Sequence, residues 1–391
     1  MTTIVIVGGG YAGLRAARKL ASARTGAHVI LVNENPYHYQ STQLHQLAAG
    51  TKEAVDIAFP ITDALPRGVE CVIDRVERID RAKKRVELAN RKPIAYDYLL
   101  NALGFESESY GIEGVEANSL PLVNVQTALA VRQHVEEMLG RYHSSQDARD
   151  LSIVVCGAGF TSIEYMGELV HQLPKLAKLY RFPVDSVKIS CIEAADKILP
   201  MFDPKLADWA KSYLVKHGVN FYTSTPITAI QPNRVISKDR VFEAHSIIWT
   251  TGVKGSAVIP ASGYESKRNR VLVQDDLSVK GNPEEFLIGD VSAVTDPQSG
   301  RLYPTTAQIS IAQADCAASN VAARLAGRPS QKFAFKGLGT VCSLGPFSGV
   351  AQINVMGQWK LKGLKVGAVK KIVNDRSVLE LADVKTMLES N

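Results

Sequence analysis

Gly8-Gly9-Gly10-Tyr11-Ala12-Gly13 has the spacing GxGxxG, and Gly157-Ala158-Gly159-Phe160-Thr161-Ser162 repeats it with serine in the last place. In such a turn the first glycine makes a tight bend and the second lets the backbone approach a pyrophosphate. The third lets a helix and a strand pack closely. The helix that follows offers free N–H groups and the positive end of its dipole to phosphates. Serine is small enough to keep the packing, so the second copy is a relaxed form of the same fingerprint. A lone GxGxxG is a weak signal, and its weight comes from what flanks it.

Each turn calls for a ribose-binding residue at the end of the next strand, about twenty positions on. Asn33 and Glu34 stand there in the first copy. Asn33 is the better placed of the two, although either can also cap a turn. Glu193 stands there in the second copy. A carboxylate accepts bonds from a ribose 2′-hydroxyl and repels a 2′-phosphate, which favours NADH over NADPH.

The flanking elements have the right types. Residues 3–7 form a β-branched apolar run, Leu14, Ala17, Leu20 and Ala21 follow at helical spacing, and residues 28–32 form a second β run. That is a βαβ unit with a parallel sheet. Residues 152–155, 160–170 and 187–192 repeat the order strand, helix, strand. Residues 97–104 read as a strand leaving the first unit, 119–126 as the crossing into the second, and 247–253 as its closing strand. From Val271 the chain returns to the first unit, where residues 286–290 form a buried strand ending in Gly289-Asp290. The expected class is α/β, with two Rossmann-like dinucleotide-binding domains, the second inserted in the first. The first spans 1–110 and 261–328, the second 111–260, and the remainder, 329–391, holds a hairpin and a helical segment.

Composition bounds the alternatives. The 391 residues are 46% hydrophobic and 21% charged, which excludes disorder. The net charge of +6 is too diffuse for a nucleic-acid binder. Cys71, Cys156, Cys191, Cys316 and Cys342 are scattered with no CxxC pair, so neither a zinc site nor a disulfide framework is expected. No secretory leader is visible at residues 1–7. The longest uncharged stretch, 337–359, is broken by Gly, Ser, Pro, Gln and Asn, and reads as strands 340–344 and 349–355 around a turn at Gly345-Pro346.

With two nucleotide turns and no cysteine pair, the chain resembles the type II NADH dehydrogenases, single-subunit NADH:quinone oxidoreductases among the flavoproteins with two dinucleotide-binding domains. The blocks GGGYAG, LHQLAAG, ALG, GAGFTSIE, IEA, WTTGV, LIGD and YPTTAQ carry the resemblance over nearly the whole length. The resemblance implies non-covalent FAD on the first domain and NADH on the second. Hydride would pass from NADH to the flavin, and two electrons would then pass to a menaquinone-like quinone. It makes Asp290, beside Gly289, the ligand of the FAD ribityl chain. It lays Ala307 and Gln308 along the flavin ring, and it counts Gly104 of ALG and Gly252 of WTTGV among the cofactor contacts. Glu164 matches an acidic residue between nicotinamide and flavin, although a first-turn carboxylate also suits the helix dipole. Lys370 matches a basic residue near the flavin, or is a solvated lysine among Lys360, Lys362, Lys365 and Lys371.

Two departures stand out. The family's quinone signature AQxxxQ places a second glutamine at position 312, where this chain has Ala312. Gln313 comes one residue late, about 100° around a helix, and is not expected to substitute. The C-terminal segment is also less membrane-like than its family. Val366, Val369, Val373, Leu381, Val384 and Leu388 could still form an apolar face beside a basic cluster, which suits peripheral attachment at the cytoplasmic side of a membrane. A homodimer stays open, as do a protein, metal complex or free flavin as acceptor and a role as an NADH-binding redox sensor.

Overall fold

A computed structural model describes residues 1–354 and 357–382. Along the chain, β1 (Thr3–Val7) leads through the first glycine turn into α1 (Tyr11–Ser22), then β2 (His28–Asn33), α2 (Leu44–Ala49), β3 (Val69–Ile73) and β4 (Tyr98–Asn101). The chain then runs through β5 (Leu120–Pro121), α3 (Val125–Ser145), β6 (Ser152–Cys156), α4 (Phe160–Tyr180), β7 (Lys188–Ile192), β8 (Val219–Tyr222) and β9 (Ser246–Trp249). After these come β10 (Ser278–Val279), β11 (Asn282–Leu287) and α5 (Ala307–Leu325). A three-stranded antiparallel unit, β12 (Gly339–Ser343), β13 (Gly349–Ile353) and β14 (Trp359–Lys362), precedes α6 (Lys365–Leu381).

The first sheet has the order β10-β11-β4-β1-β2-β3, the second β5-β9-β6-β7-β8. β1 pairs in parallel with both β2 and β4, so it lies at the centre, with the glycine turn at its carboxyl end. In the second sheet β6 occupies the same position between β7 and β9. Because β11 pairs with β4 from the far side of the inserted unit, the chain completes the first sheet only after finishing the second. The two doubly wound units, one inside the other, match the class expected from the sequence. Both central strands are apolar runs buried on two faces, as parallel strands must be.

Some local expectations need correction. The crossing at 119–126 contains β5, which adds an edge to the second sheet by pairing with β9. The second glycine helix runs ten residues past the expected 170, to Tyr180, with Pro174 inside it. β14 was not foreseen; its alternation of charged and apolar residues is too short to stand out. The apolar stripe expected on the last helix turns inward in part. Val366 and Leu381 are buried against the protein, so they cannot line a membrane face. Val384 and Leu388, and Val355 at the expected end of a strand, lie outside the described residues.

Candidate active site

The two glycine turns have nearly the same construction. A Cβ on Gly13 would fall on the Gly8 carbonyl, so α1 and β1 approach as closely as the fingerprint requires. The middle glycine behaves differently: a Cβ on Gly10 would meet no protein atom within 4 Å, and neither would one on Gly159. Neither α1 nor α4 has a side-chain cap on its N-terminus. Free N–H groups thus face open space beside a residue with no side chain, and the surroundings fit a pyrophosphate at both places. Ser162 repays its departure from glycine with a hydrogen bond, 2.7 Å, to the Thr250 hydroxyl, which itself donates to the Cys156 carbonyl. Tyr11 is buried with its hydroxyl 3.1 Å from that of Thr42, and Ala12 packs beneath Gly289. Phe160 rests against the ring of Phe202, 5.5 Å between centroids.

At the end of β2, Asn33 Oδ1 accepts the Gly9 N–H at 2.7 Å while its amide donates to the Asn35 carbonyl. Each polar end of Asn33 thus makes one hydrogen bond to the protein. Glu34 is exposed and makes no hydrogen bond among the described residues. Glu193 repeats Asn33's role on the second turn: one oxygen accepts the Ala158 N–H at 2.7 Å and the other the Ala195 N–H at 2.8 Å. A carboxylate has further lone pairs to offer a ribose.

A buried histidine that sequence reasoning missed backs the first turn. His38 Nδ1 lies 3.0 Å from the Gly9 carbonyl, and its ring meets Tyr11 edge-on. Burial lowers its pKa to about 4, so the ring is neutral. A lone histidine in YHY has no motif to betray it.

Gly289 and Asp290 follow β11. Gly289 donates its N–H to the Gln313 side chain at 2.7 Å, and Ser292 donates to the same oxygen. Gln313 is thus turned into the protein. No hydrogen bond reaches the Asp290 carboxylate among the described residues. Burial raises its pKa to about 6, with Arg270 opposing. An acid held so, next to a glycine turn, suits a hydroxyl donor from a ligand. Thr306 caps α5 through Ile309, placing Ala307 and Gln308 at its first turn. The Gln308 amide donates to the Gly339 carbonyl at 3.2 Å, and Ala312 is half-buried one turn on. Gly104 adopts a left-handed φ of 73° just beyond β4, and Gly252 lies under the Tyr110 hydroxyl.

The densest chemistry lies where four distant segments meet. Glu164, buried in the first turns of α4, accepts the Ser343 N–H at 2.9 Å and its hydroxyl at 3.1 Å. The Lys370 ammonium bonds to Glu164 and donates to Ser343 Oγ at 2.7 Å. His45, from LHQLAAG, is 3.5 Å from Glu164 through Nδ1, and its Nε2 is 3.4 Å from both Ser343 and Lys370. Burial would raise the Glu164 pKa, but Lys370 first and then His45 and Ser343 outweigh it and hold the carboxyl below its usual range. Burial and Lys370 lower His45 to about 3. The imidazole is therefore neutral, and its contact with Glu164 is dipolar. Lys370 is mostly buried, not one of a solvated run. His45 and Ser343 were not foreseen as site residues, because only packing brings positions 298 apart into contact.

Residues 2–314 match the pyridine nucleotide-disulphide oxidoreductase family, which defines the class of the paired βαβ units. Within that class, a protein from Staphylococcus saprophyticus called a type II NADH:quinone oxidoreductase is 38% identical over 390 residues, covering 97% of this chain and 96% of that protein. A Staphylococcus aureus protein of the same name has the same identity and coverage. The chain belongs to the type II NADH:quinone oxidoreductase family. In fold it superposes on NDH2 from Plasmodium falciparum, solved in complex with NADH, with TM-score 0.86 at 17% identity, covering 100% of this chain and 96% of that one. The sulfide:quinone oxidoreductase of Aquifex aeolicus follows at TM-score 0.80 and 20% identity, covering 97% of this chain and 91% of that one.

Proposed function

We propose that the chain oxidises NADH and reduces a quinone, with FAD held non-covalently between the two half-reactions. The observation that carries this reading is the pair of uncovered, uncapped glycine turns, one on each interleaved sheet, in a chain 38% identical to type II NADH:quinone oxidoreductases over 97% of its length. FAD, when bound, supplies the two-electron chemistry that no side chain here can perform.

The protein's part is to bind, orient and set charge. FAD belongs to the unit formed by 1–110 and 261–328, where Gly8, Gly10, Tyr11, Ala12 and Gly13 receive its pyrophosphate. Glu34, free where Asn33 is engaged, meets the adenosine ribose, and Asp290 accepts from the ribityl chain beside Gly289. Gly104, Gly252 and Ala307 line the approach to the ring. NADH belongs to 111–260, on Gly157, Gly159, Phe160 and Glu193. Glu164 and Lys370 hold fixed charge where the two units meet, and Gln308 offers its amide to a quinone oxygen in exchange for the Gly339 carbonyl.

The C-terminal unit, 329–391, is the peripheral contact with the cytoplasmic face of a membrane. Phe347, Trp359 and Leu364 stand exposed on it beside Lys360, Lys362 and Lys365. Among the described residues no helix is long and apolar enough to cross a membrane. The test is an acceptor screen with purified, FAD-loaded protein. Reduction of menadione by NADH, with flavin released intact by acid, supports the reading. Turnover with oxygen or a metal complex but with no quinone overturns it.

A further inference from the structure

Two successive peptide groups of the first glycine turn are each held by a side chain. The Gly8–Gly9 peptide is held by Asn33, whose Oδ1 accepts the Gly9 N–H at 2.7 Å. The Gly9–Gly10 peptide is held by His38, whose Nδ1 stands 3.0 Å from the Gly9 carbonyl. A carbonyl only accepts, so Nδ1 carries the proton of the neutral ring. Nε2 is then a bare acceptor, buried with no partner among the described residues. An orphan of this kind destabilises the fold and calls for a reason. The ring is nonetheless fixed in place: it is 1% exposed, edge-on to Tyr11 and 5.0 Å from the ring of Phe59.

The direction of the bond decides what it does. In a trans peptide the C=O and the N–H point opposite ways. With the Gly9 carbonyl turned to His38, the Gly10 N–H is aimed away from it. No protein acceptor takes that N–H among the described residues, and a Cβ on Gly10 would meet no atom within 4 Å.

The second turn fixes the same peptide by other means. Its corresponding carbonyl, on Ala158, accepts the Leu199 N–H at 3.0 Å. Leu199 makes this bond from a left-handed backbone, φ 44°, which a leucine rarely adopts. The Gly159 N–H is likewise without a protein acceptor among the described residues. An orphaned imidazole in one turn and a strained leucine in the other thus orient one peptide in the same sense. What the two devices share is the N–H of the second glycine, left free for a ligand.

We propose that His38 is a positioning residue for FAD: by holding the Gly9 carbonyl it presets the Gly10 N–H as a donor to the cofactor's pyrophosphate. The inference rests on the reading above that FAD occupies the first turn. His38 itself need neither touch the cofactor nor change charge.

The test is FAD titration of the full chain after the flavin is stripped, with phosphorus NMR of the reloaded protein. His38→Phe keeps a ring against Tyr11 and Phe59 but cannot donate. It should raise the FAD Kd about tenfold, the scale of a hydrogen bond to a charged group, and shift the pyrophosphate resonances. His38→Asn, whose amide nitrogen can stand where Nδ1 stands, should recover most of the affinity and return the resonances. The urea midpoints of the stripped proteins should stay together, and NADH affinity should not change. His38→Leu, smaller and equally unable to donate, carries the comparison if the larger ring does not fold. The role is overturned if the non-donating variants bind FAD as tightly as the unaltered protein with the same resonances. It is equally overturned if His38→Asn binds no better than they do, or if the midpoints fall in step with affinity, as a packing defect would produce. An unaltered protein that takes up no FAD would instead remove the FAD reading, and the role of His38 with it.

Discussion

Asn33 and Glu193 are counterparts: each stands at the end of the strand after a glycine turn, and each accepts at 2.7 Å the N–H of the residue between that turn's first two glycines, Gly9 in one and Ala158 in the other. The difference between them is one negative charge. The same fastening is used twice, with an amide in the first copy and a carboxylate in the second.

The first prediction concerns this charge. NADPH should be used with kcat/KM about thirtyfold below that for NADH, equivalent to about 2 kcal/mol of repulsion. Glu193→Asn should keep the fastening of Ala158, narrow the preference and raise the KM for NADH only modestly. Steady-state rates with both nucleotides decide it, and equal use by the unaltered protein sinks the assignment.

The second concerns Asp290, whose pKa is raised to about 6 by burial. The ionised carboxylate is the stronger acceptor for a hydroxyl. FAD affinity should therefore be highest above that value and decline as pH falls through it and the acid takes up a proton. Asp290→Asn should bind FAD more weakly at neutral pH and lose the pH dependence. Equilibrium dialysis at two pH values would show this.

Glu164→Gln is the third. It leaves Lys370 largely buried without a counter-charge, which should cost about 3 kcal/mol of stability, read as a lower urea midpoint. In the folded protein the carboxyl lies below its ordinary 4.5. Its contribution should be full above that ordinary value and disappear as pH falls towards the folded value. A midpoint difference between the two proteins that persists unchanged into strong acid would contradict the pairing.

For the fourth, Gln308→Ala should slow reoxidation by menadione, by about tenfold if the amide stabilises charge on the quinone oxygen. Reduction by NADH should stay nearly intact. With Ala312 offering no second bond, the unaltered protein should already show a high KM for short quinones. Reoxidation unaffected by the substitution would move the quinone elsewhere.

The glycine turns, the order of the sheets and Glu193 were legible in the sequence because each depends on local chemistry: φ, close approach, or a polar residue at a strand end. That Gln313 is turned about 100° from position 312 was legible from helical geometry, but its burial against Gly289 and Ser292 was not. What the sequence hid was contact between segments. His45 and Ser343 look ordinary until α2 and β12 are packed on α4. Asn33 occupied the expected position, and its hydrogen bonds to Gly9 and Asn35 are contacts that only coordinates display. Lys370 stood out from its fellow lysines only through the resemblance, because its contact with Glu164 is also made by packing.

The pairing of β11 with β4 also sets a timetable for synthesis. All five strands of the inserted sheet lie between residues 120 and 249, so that sheet can close while the ribosome is still making the rest. The outer sheet must wait for residue 287 with β4 unpaired along one edge. Ser343 and Lys370 emerge later still. A chain cut short by a premature stop after α5 would keep both glycine turns but lack the Ser343 and Lys370 partners of Glu164.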